Sequence, residues 1–200
     1  MTVSSIRPVT LGDVVGLQHY ETIRDEVRRR IIELKRHRRV AVGDSVTFVF
    51  ENHDTIRFQI QEMVRAEHIT DLDAVRAELA VYNALLPAPG QLSATMLIEI
   101  TDQEHVADRL KELIGIDEAV RLEIDTSHVI PAEFEPGRST EEKLSAVQYV
   151  RFSLPAPARR AFSDTRVPAW LVIDHPKYRA RARFDGELRA SLAEDLRDAE

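Results

Sequence analysis

Tyr20, Ile23, Val27, Ile31 and Leu34 recur at spacings of three and four, an apolar stripe that predicts an amphipathic helix. Thr10-Leu11-Gly12-Asp13 has the form of a capping box, so the helix is expected to open there and run to about His37. Gly43-Asp44 then turns the chain into residues 45–50, where Val46, Phe48 and Phe50 alternate as in a strand. Residues 55–69 carry two patterns at once. Ile56, Phe58 and Ile60 alternate like a strand, while Ile56, Ile60, Met63 and Val64 fit a helix. The helix-forming run Gln-Glu-Met-Val-Arg-Ala-Glu favours the helix, with a hairpin strand to Gln61 as the alternative.

Another helix, over residues 72–86, follows the Thr70/Asp71 cap and stops before Pro87. Alternation predicts strands over 92–100 and 119–125, separated by a capping box at 101–104 and a helix over 106–114 that ends at Gly115. Strands are expected over 143–154 and 167–173, an edge strand over 178–184, and a last helix capped by Asp185 and running to Leu196. This order predicts an α+β fold, with a long N-terminal helix and further helices packed on a mainly antiparallel sheet. The expectation is one domain over 1–200. The polar loop at 131–142, which contains Pro-Gly, marks the place where two packed lobes, about 1–130 and 131–200, would meet.

The chain contains no cysteine, which removes disulfides, thiolate nucleophiles and cysteine-ligated iron–sulfur clusters together. The cofactor stays unknown, and any metal would need His, Asp and Glu as ligands. The N-terminal residues lack the apolar core of a secretory signal, and no apolar run approaches a bilayer span, so a cytoplasmic protein with no membrane role is expected. Net charge is −7, but residues 24–39 hold eight Lys/Arg against three acids, a local +5 that leaves −12 on the rest. Such asymmetry fits an anionic partner or a solvated helix face.

Phosphate-cradling glycine motifs, Gly-x-Ser-x-Gly and His-Glu-x-x-His are all absent from the sequence. Polar groups concentrate instead in residues 50–68, threaded through Phe50, Ile56, Phe58, Ile60, Met63 and Val64. At that apolar density several of them must be buried, and buried polar groups need partners or a ligand. Glu51, Asn52, Gln59, Glu62, Arg65 and Glu67 are therefore ligand-binding candidates, and His53, Glu62, Glu67 and His68 are metal candidates. The alternative is a salt-bridge and amide network that fixes a helix on the sheet. Asp174-His175-Pro176 reads as a turn before it reads as a catalytic pair. Arg28, Arg29, Arg36 and Arg39 form one basic surface. Arg179, Arg181 and Arg183, sharing a strand face with Lys177, form another that could grip phosphates or keep an edge strand from aggregating.

Several segments together resemble one bacterial family of uncharacterised proteins, domain of unknown function 3501. They are Leu34-Lys35-Arg36-His37-Arg38-Arg39-Val40, Phe50-Glu51-Asn52 with Thr55, Phe58-Gln59-Ile60-Gln61-Glu62-Met63 with Arg65 and Glu67, Tyr82-Asn83, Leu92-Ser93-Ala94-Thr95 and Ala146-Val147-Gln148-Tyr149-Val150-Arg151-Phe152. The resemblance implies no established activity. It implies a setting beside rubrerythrin-like proteins and iron–sulfur oxidoreductases, and hence an accessory role with such partners. The expectation is an accessory protein with a polar small-ligand or metal pocket; the alternative is a non-catalytic nucleic-acid binder, which the acidic balance disfavours. Whether it is an enzyme, and whether it forms an oligomer, stay open.

Overall fold

The structure, a computed structural model, describes residues 6–102, 104–139 and 143–197. Strands β1 (Arg39–Val42), β2 (Val46–Phe50), β3 (Gln91–Ile98), β6 (Glu133–Phe134) and β7 (Val147–Ser153) form a five-stranded sheet in the order β1-β2-β3-β7-β6. Strands β4 (Val120–Ile124), β5 (His128–Pro131), β8 (Ala169–His175) and β9 (Tyr178–Arg183) form a four-stranded sheet in the order β5-β4-β8-β9. Every ladder is antiparallel. The helices are α1 (Leu17–Arg36), α2 (His53–Ala66), α3 (Leu72–Asn83), α4 (Val106–Glu112), α5 (Ala156–Ser163) and α6 (Gly186–Arg197). The expected α+β class is the class observed. A cut at residue 130 passes through both sheets, since β3 pairs with β7 and β4 with β8.

Strand alternation decides which side chains meet. Phe48, Phe50, Leu92, Ala94, Met96, Val150 and Phe152 of the larger sheet share one core with Leu122, Leu171 and Ile173 of the smaller. Phe184 joins them edge-on, with ring centroids 5.8 Å from Phe50 and 5.5 Å from Phe162 of α5. Burying side chains of this size stabilises the fold by roughly 1.5–3 kcal/mol each. The opposite face of the larger sheet is covered by α2 and α3, through a smaller core of Ile56, Ile60, Val64, Val75 and Leu79. Arg189 of α6, 2% exposed, bonds the carbonyls of Phe162, Ala161 and Asp164 and so caps the open end of α5.

Residues 53–66 are helical, as the run of helix formers predicts, and the hairpin alternative is not what forms. The first helix, however, begins at Leu17 and not at Thr10. The capping box closes only a 3-10 turn, Leu11–Asp13, with the Thr10 amide and hydroxyl donating to Asp13 Oδ2 at 2.8 and 2.7 Å. Val14 then turns extended, and the Gln61 side-chain amide holds Val15 by its N–H (2.9 Å) and its carbonyl (3.0 Å). Strands β1, β5 and β6 and helix α5 were not expected. Each is short, and α5 opens between Pro155 and Pro157, residues that read as loop. The expected cap at 101–104 includes Gln103, and the boundary loop includes residues 140–142; these lie outside the described residues.

Edge strands β1 and β9 bring the two sheets together without a ladder. The Tyr178 hydroxyl donates to the Val42 carbonyl (2.7 Å) and accepts from the Ser45 amide (3.0 Å). It passes so close to Gly43, at φ 77°, that any Cβ there would collide with the ring. Tyr178→Phe leaves that amide and carbonyl without their partner and is expected to cost about 1–3 kcal/mol. A urea titration checks this; an unchanged midpoint would show that the pin contributes nothing.

Candidate functional site

Glu51 follows β2 directly, and its backbone N–H donates to the Ser93 carbonyl at 2.8 Å, which turns its side chain under α2. The residue is 2% exposed. Its Oε2 accepts from the Thr55 hydroxyl at 2.5 Å, while Oε1 accepts from the Thr95 hydroxyl at 2.7 Å and the Gln59 amide at 3.3 Å. Asn52 starts α2: its side-chain oxygen takes the Thr55 N–H at 3.1 Å, and the Thr55 hydroxyl takes the Asn52 N–H at 2.9 Å. A carboxylate just ahead of a helix N-terminus also gains from the positive end of the dipole. Glu51 is thus held by neutral donors and a helix end, and its acceptor capacity is used inside the protein.

Directly behind it lies Arg38, 1% exposed. Its guanidinium donates to the Phe50 carbonyl (2.9 Å), the Glu51 carbonyl (3.1 Å) and the Ser191 hydroxyl (3.0 Å), and forms an ion pair with Asp195 of α6. A buried guanidinium persists only where its donors find acceptors. Here those acceptors come from the end of β2 and from α6.

The remaining candidates do not join this cluster. Glu62 faces α1, where Arg24 grips both carboxylate oxygens (2.9 and 2.7 Å) and the Tyr20 hydroxyl donates at 2.7 Å. The Arg24 hydrogen bond pulls its pKa down to about 2, and burial, with Glu62 beside it, pushes the Tyr20 phenol up. Arg65 pairs with Glu21 at 2.7 Å. Glu67 is the exposed C-cap of α2, and His68 is an exposed residue at φ 51°. His53 is buried at the first turn, its Nδ1 3.0 Å from the Arg7 carbonyl. The single converging site expected from residues 51–68 is therefore corrected to separate networks. Helical periodicity sends Thr55 and Gln59 toward Glu51, turns Glu62 to α1 and leaves Glu67 and His68 beyond the last turn. Among the described residues, no group of three or more His, Asp and Glu is arranged to hold a metal.

On the basic surfaces, Arg28 and Arg29 are exposed, Arg36 pairs with Glu33 at 2.9 Å, and Arg39 pairs with Glu99 at 2.8 Å. Arg179 pairs with Asp174 at 3.2 Å, whereas Arg181 and Arg183 lie over the Trp170 ring, 4.5 and 6.0 Å from its centroid. Asp174 and His175 end β8 ahead of a tight turn, and His175 Nε2 lies 3.1 Å from the Ile114 carbonyl, which agrees with a structural reading. The residues that matter most and were not foreseen are Arg38, Asp195 and Thr95. Arg38 sits in a run of bases that looks solvated, and nothing local points to a partner in the last helix.

Between α1 and α2 runs a groove of about 560 Å³, lined by Ile23, Val27, Ile31, Leu34 and a rim that includes Glu26, Arg30, His37, Asp54 and Arg57. Fold and site define a two-sheet α+β protein whose densest polar cluster is internal and whose open groove lies on its helical side. A family model described as "Protein of unknown function (DUF3501)" matches residues 8–196, and the chain belongs to that family. A solved structure, titled a novel protein of unknown function from Burkholderia pseudomallei K96243, is 34% identical. The match covers 95% of this chain and 100% of that one, with a TM-score of 0.89. No curated protein matches the chain. No helix among the described residues is long and apolar enough to cross a membrane.

Because the folded-state pKa of Glu62 is depressed below the ordinary value of 4.5, its contribution is present above that pH and is lost as pH falls through about 2. Glu62→Gln is expected to lower stability at pH 7 by about 2 kcal/mol. The difference from the parent protein should shrink steadily as pH falls from about 4.5 toward 2. Denaturant titrations across that range check it; a gap independent of pH would contradict the ion-pair assignment.

Proposed function

We propose that this protein is an accessory protein that binds a helical segment of a redox partner in the groove between α1 and α2. One observation carries the reading. α1 is 20 residues long yet buries only Tyr20 and Ile31, so Ile23, Val27 and Leu34 of its apolar stripe stay half-exposed on the groove floor. The stripe from Ile23 to Leu34 extends about 16 Å, the length of three helical turns. An apolar floor with acids and bases on its rim is the surface that an amphipathic helix fills, with apolar anchors beneath and charged residues meeting the rim. Glu26, Glu33 and Asp54 on one hand, and Arg30 and Arg57 on the other, offer both signs.

The family resemblance supports rubrerythrin-like or iron–sulfur proteins as the partner class. A polar ligand pocket among Glu51, Asn52 and Gln59 has less support, because a ligand there would have to break hydrogen bonds that are already made. The protein's part is to hold and position its partner.

Calorimetric titration of the purified protein with a rubrerythrin-like protein and with an iron–sulfur oxidoreductase tests this. Val27→Asp is expected to weaken binding at least about tenfold, equivalent to about 1.4 kcal/mol. Arg28→Ser, away from the groove, should leave it intact. Absence of binding by the parent protein, or equal binding by Val27→Asp, would overturn the proposal.

A further inference from the structure

The smaller sheet has a second face, and it points away from the shared core. Leu171, Ile173, Ala180 and Ala182 pack inward, so strand alternation turns Trp170, Val172, Asp174, Arg179, Arg181 and Arg183 outward. Register places Arg183 opposite Trp170 and Arg181 opposite Val172, with Glu123 and Arg121 next to them on β4. The acids on this face are already engaged. Arg121 bonds Glu123 at 2.7 Å and lies 3.7 Å from Asp174, which also pairs with Arg179 at 3.2 Å. Arg181 and Arg183 are exposed and rest on the indole ring, and among the described residues no carboxylate lies within salt-bridge distance of either. Four arginines against two acids make this face net positive on a chain of net charge −7.

We propose that this face binds single-stranded nucleic acid, with phosphates drawing Arg181 and Arg183 off the indole ring and a base taking their place against Trp170. Alternate residues of an antiparallel strand stand about 6.8 Å apart, so the two guanidinium groups form a row along β9 and not a single point. A flexible anionic strand follows such a row, and an aromatic ring beside it adds a stacking surface for which every base has a matching face. An acidic peptide would satisfy the arginines but would have no use for the ring. Duplex DNA hides its base faces and cannot use it either. The proposal is independent of the helical groove, which lies against the other sheet.

Trp170 is the chain's one tryptophan, so its fluorescence reports on this face alone. A short oligothymidylate should quench it, with dissociation constants of about 10⁻⁴–10⁻⁶ M. Two phosphate contacts on a single strand predict that affinity falls about sevenfold between 50 and 200 mM salt. Arg181→Gln/Arg183→Gln, on exposed positions, should abolish quenching while the urea midpoint stays unchanged. Trp170→Leu, read by anisotropy of a labelled strand, should weaken binding by about fivefold or more. No quenching at low salt, or quenching that survives loss of both arginines, overturns the proposal. Equal quenching by polyglutamate overturns it too, and would assign the face to an acidic protein.

Discussion

A guanidinium that is 1% exposed has to be surrounded by acceptors, and meeting that requirement for Arg38 organises much of the molecule. Its acceptors are the carbonyls that end β2, the hydroxyl of Ser191 and the carboxylate of Asp195. To reach them, the chain must leave α1 at His37, turn inward and start β1, and α6 must lie across the end of the larger sheet. Glu51 is fixed by the same arrangement, because its carbonyl is one of the acceptors and its amide is bonded to Ser93. Its side chain then has no route but under α2, where Thr55, Gln59 and Thr95 supply donors. Polar density between residues 51 and 59 thus supplies hydrogen bonds that the buried Glu51 carboxylate requires.

That explains which parts of the sequence were legible. Periodicity is local, so the alternation of Leu92, Ala94, Met96 and Ile98 and the β9 edge strand could be read directly, while the α2 helix was favoured over a strand only by its run of helix formers. Partnership is not local. Arg38 and Asp195 are separated by 157 positions, and Glu62 finds Arg24 across 38, so no spacing rule connects either pair. Burial of Glu51 and Asn52 followed from their apolar surroundings, whereas the direction in which Glu62 and Glu67 point depended on where α1 lies. The capping box at Thr10 was a correct local signal with the wrong extent, because Val14 turns extended and the Gln61 amide, a tertiary contact, takes both the N–H and the carbonyl of Val15.

Of the open surfaces among the described residues, the two that carry the proposals above differ in chemistry. The groove between α1 and α2 is apolar with a mixed-charge rim, and suits a folded or folding polypeptide. The outer face of the smaller sheet is cationic with one aromatic ring, and suits a flexible anion. They lie on opposite layers, which would let both be occupied at once. Membership of a family without an established activity, and a solved relative 34% identical along nearly the whole chain, fix the fold and leave these surfaces as the places where function is to be sought.

The central claim is that the Arg38–Asp195 pair is a structural clasp and that the polar segment behind it serves folding. A double-mutant cycle with Arg38→Met and Asp195→Leu, followed by denaturant unfolding, tests it most directly. Each single change should cost about 3–5 kcal/mol by leaving a buried charge alone. The double variant should cost clearly less than the sum, with a coupling of about 2 kcal/mol or more. Single effects below about 1 kcal/mol that simply add would contradict it.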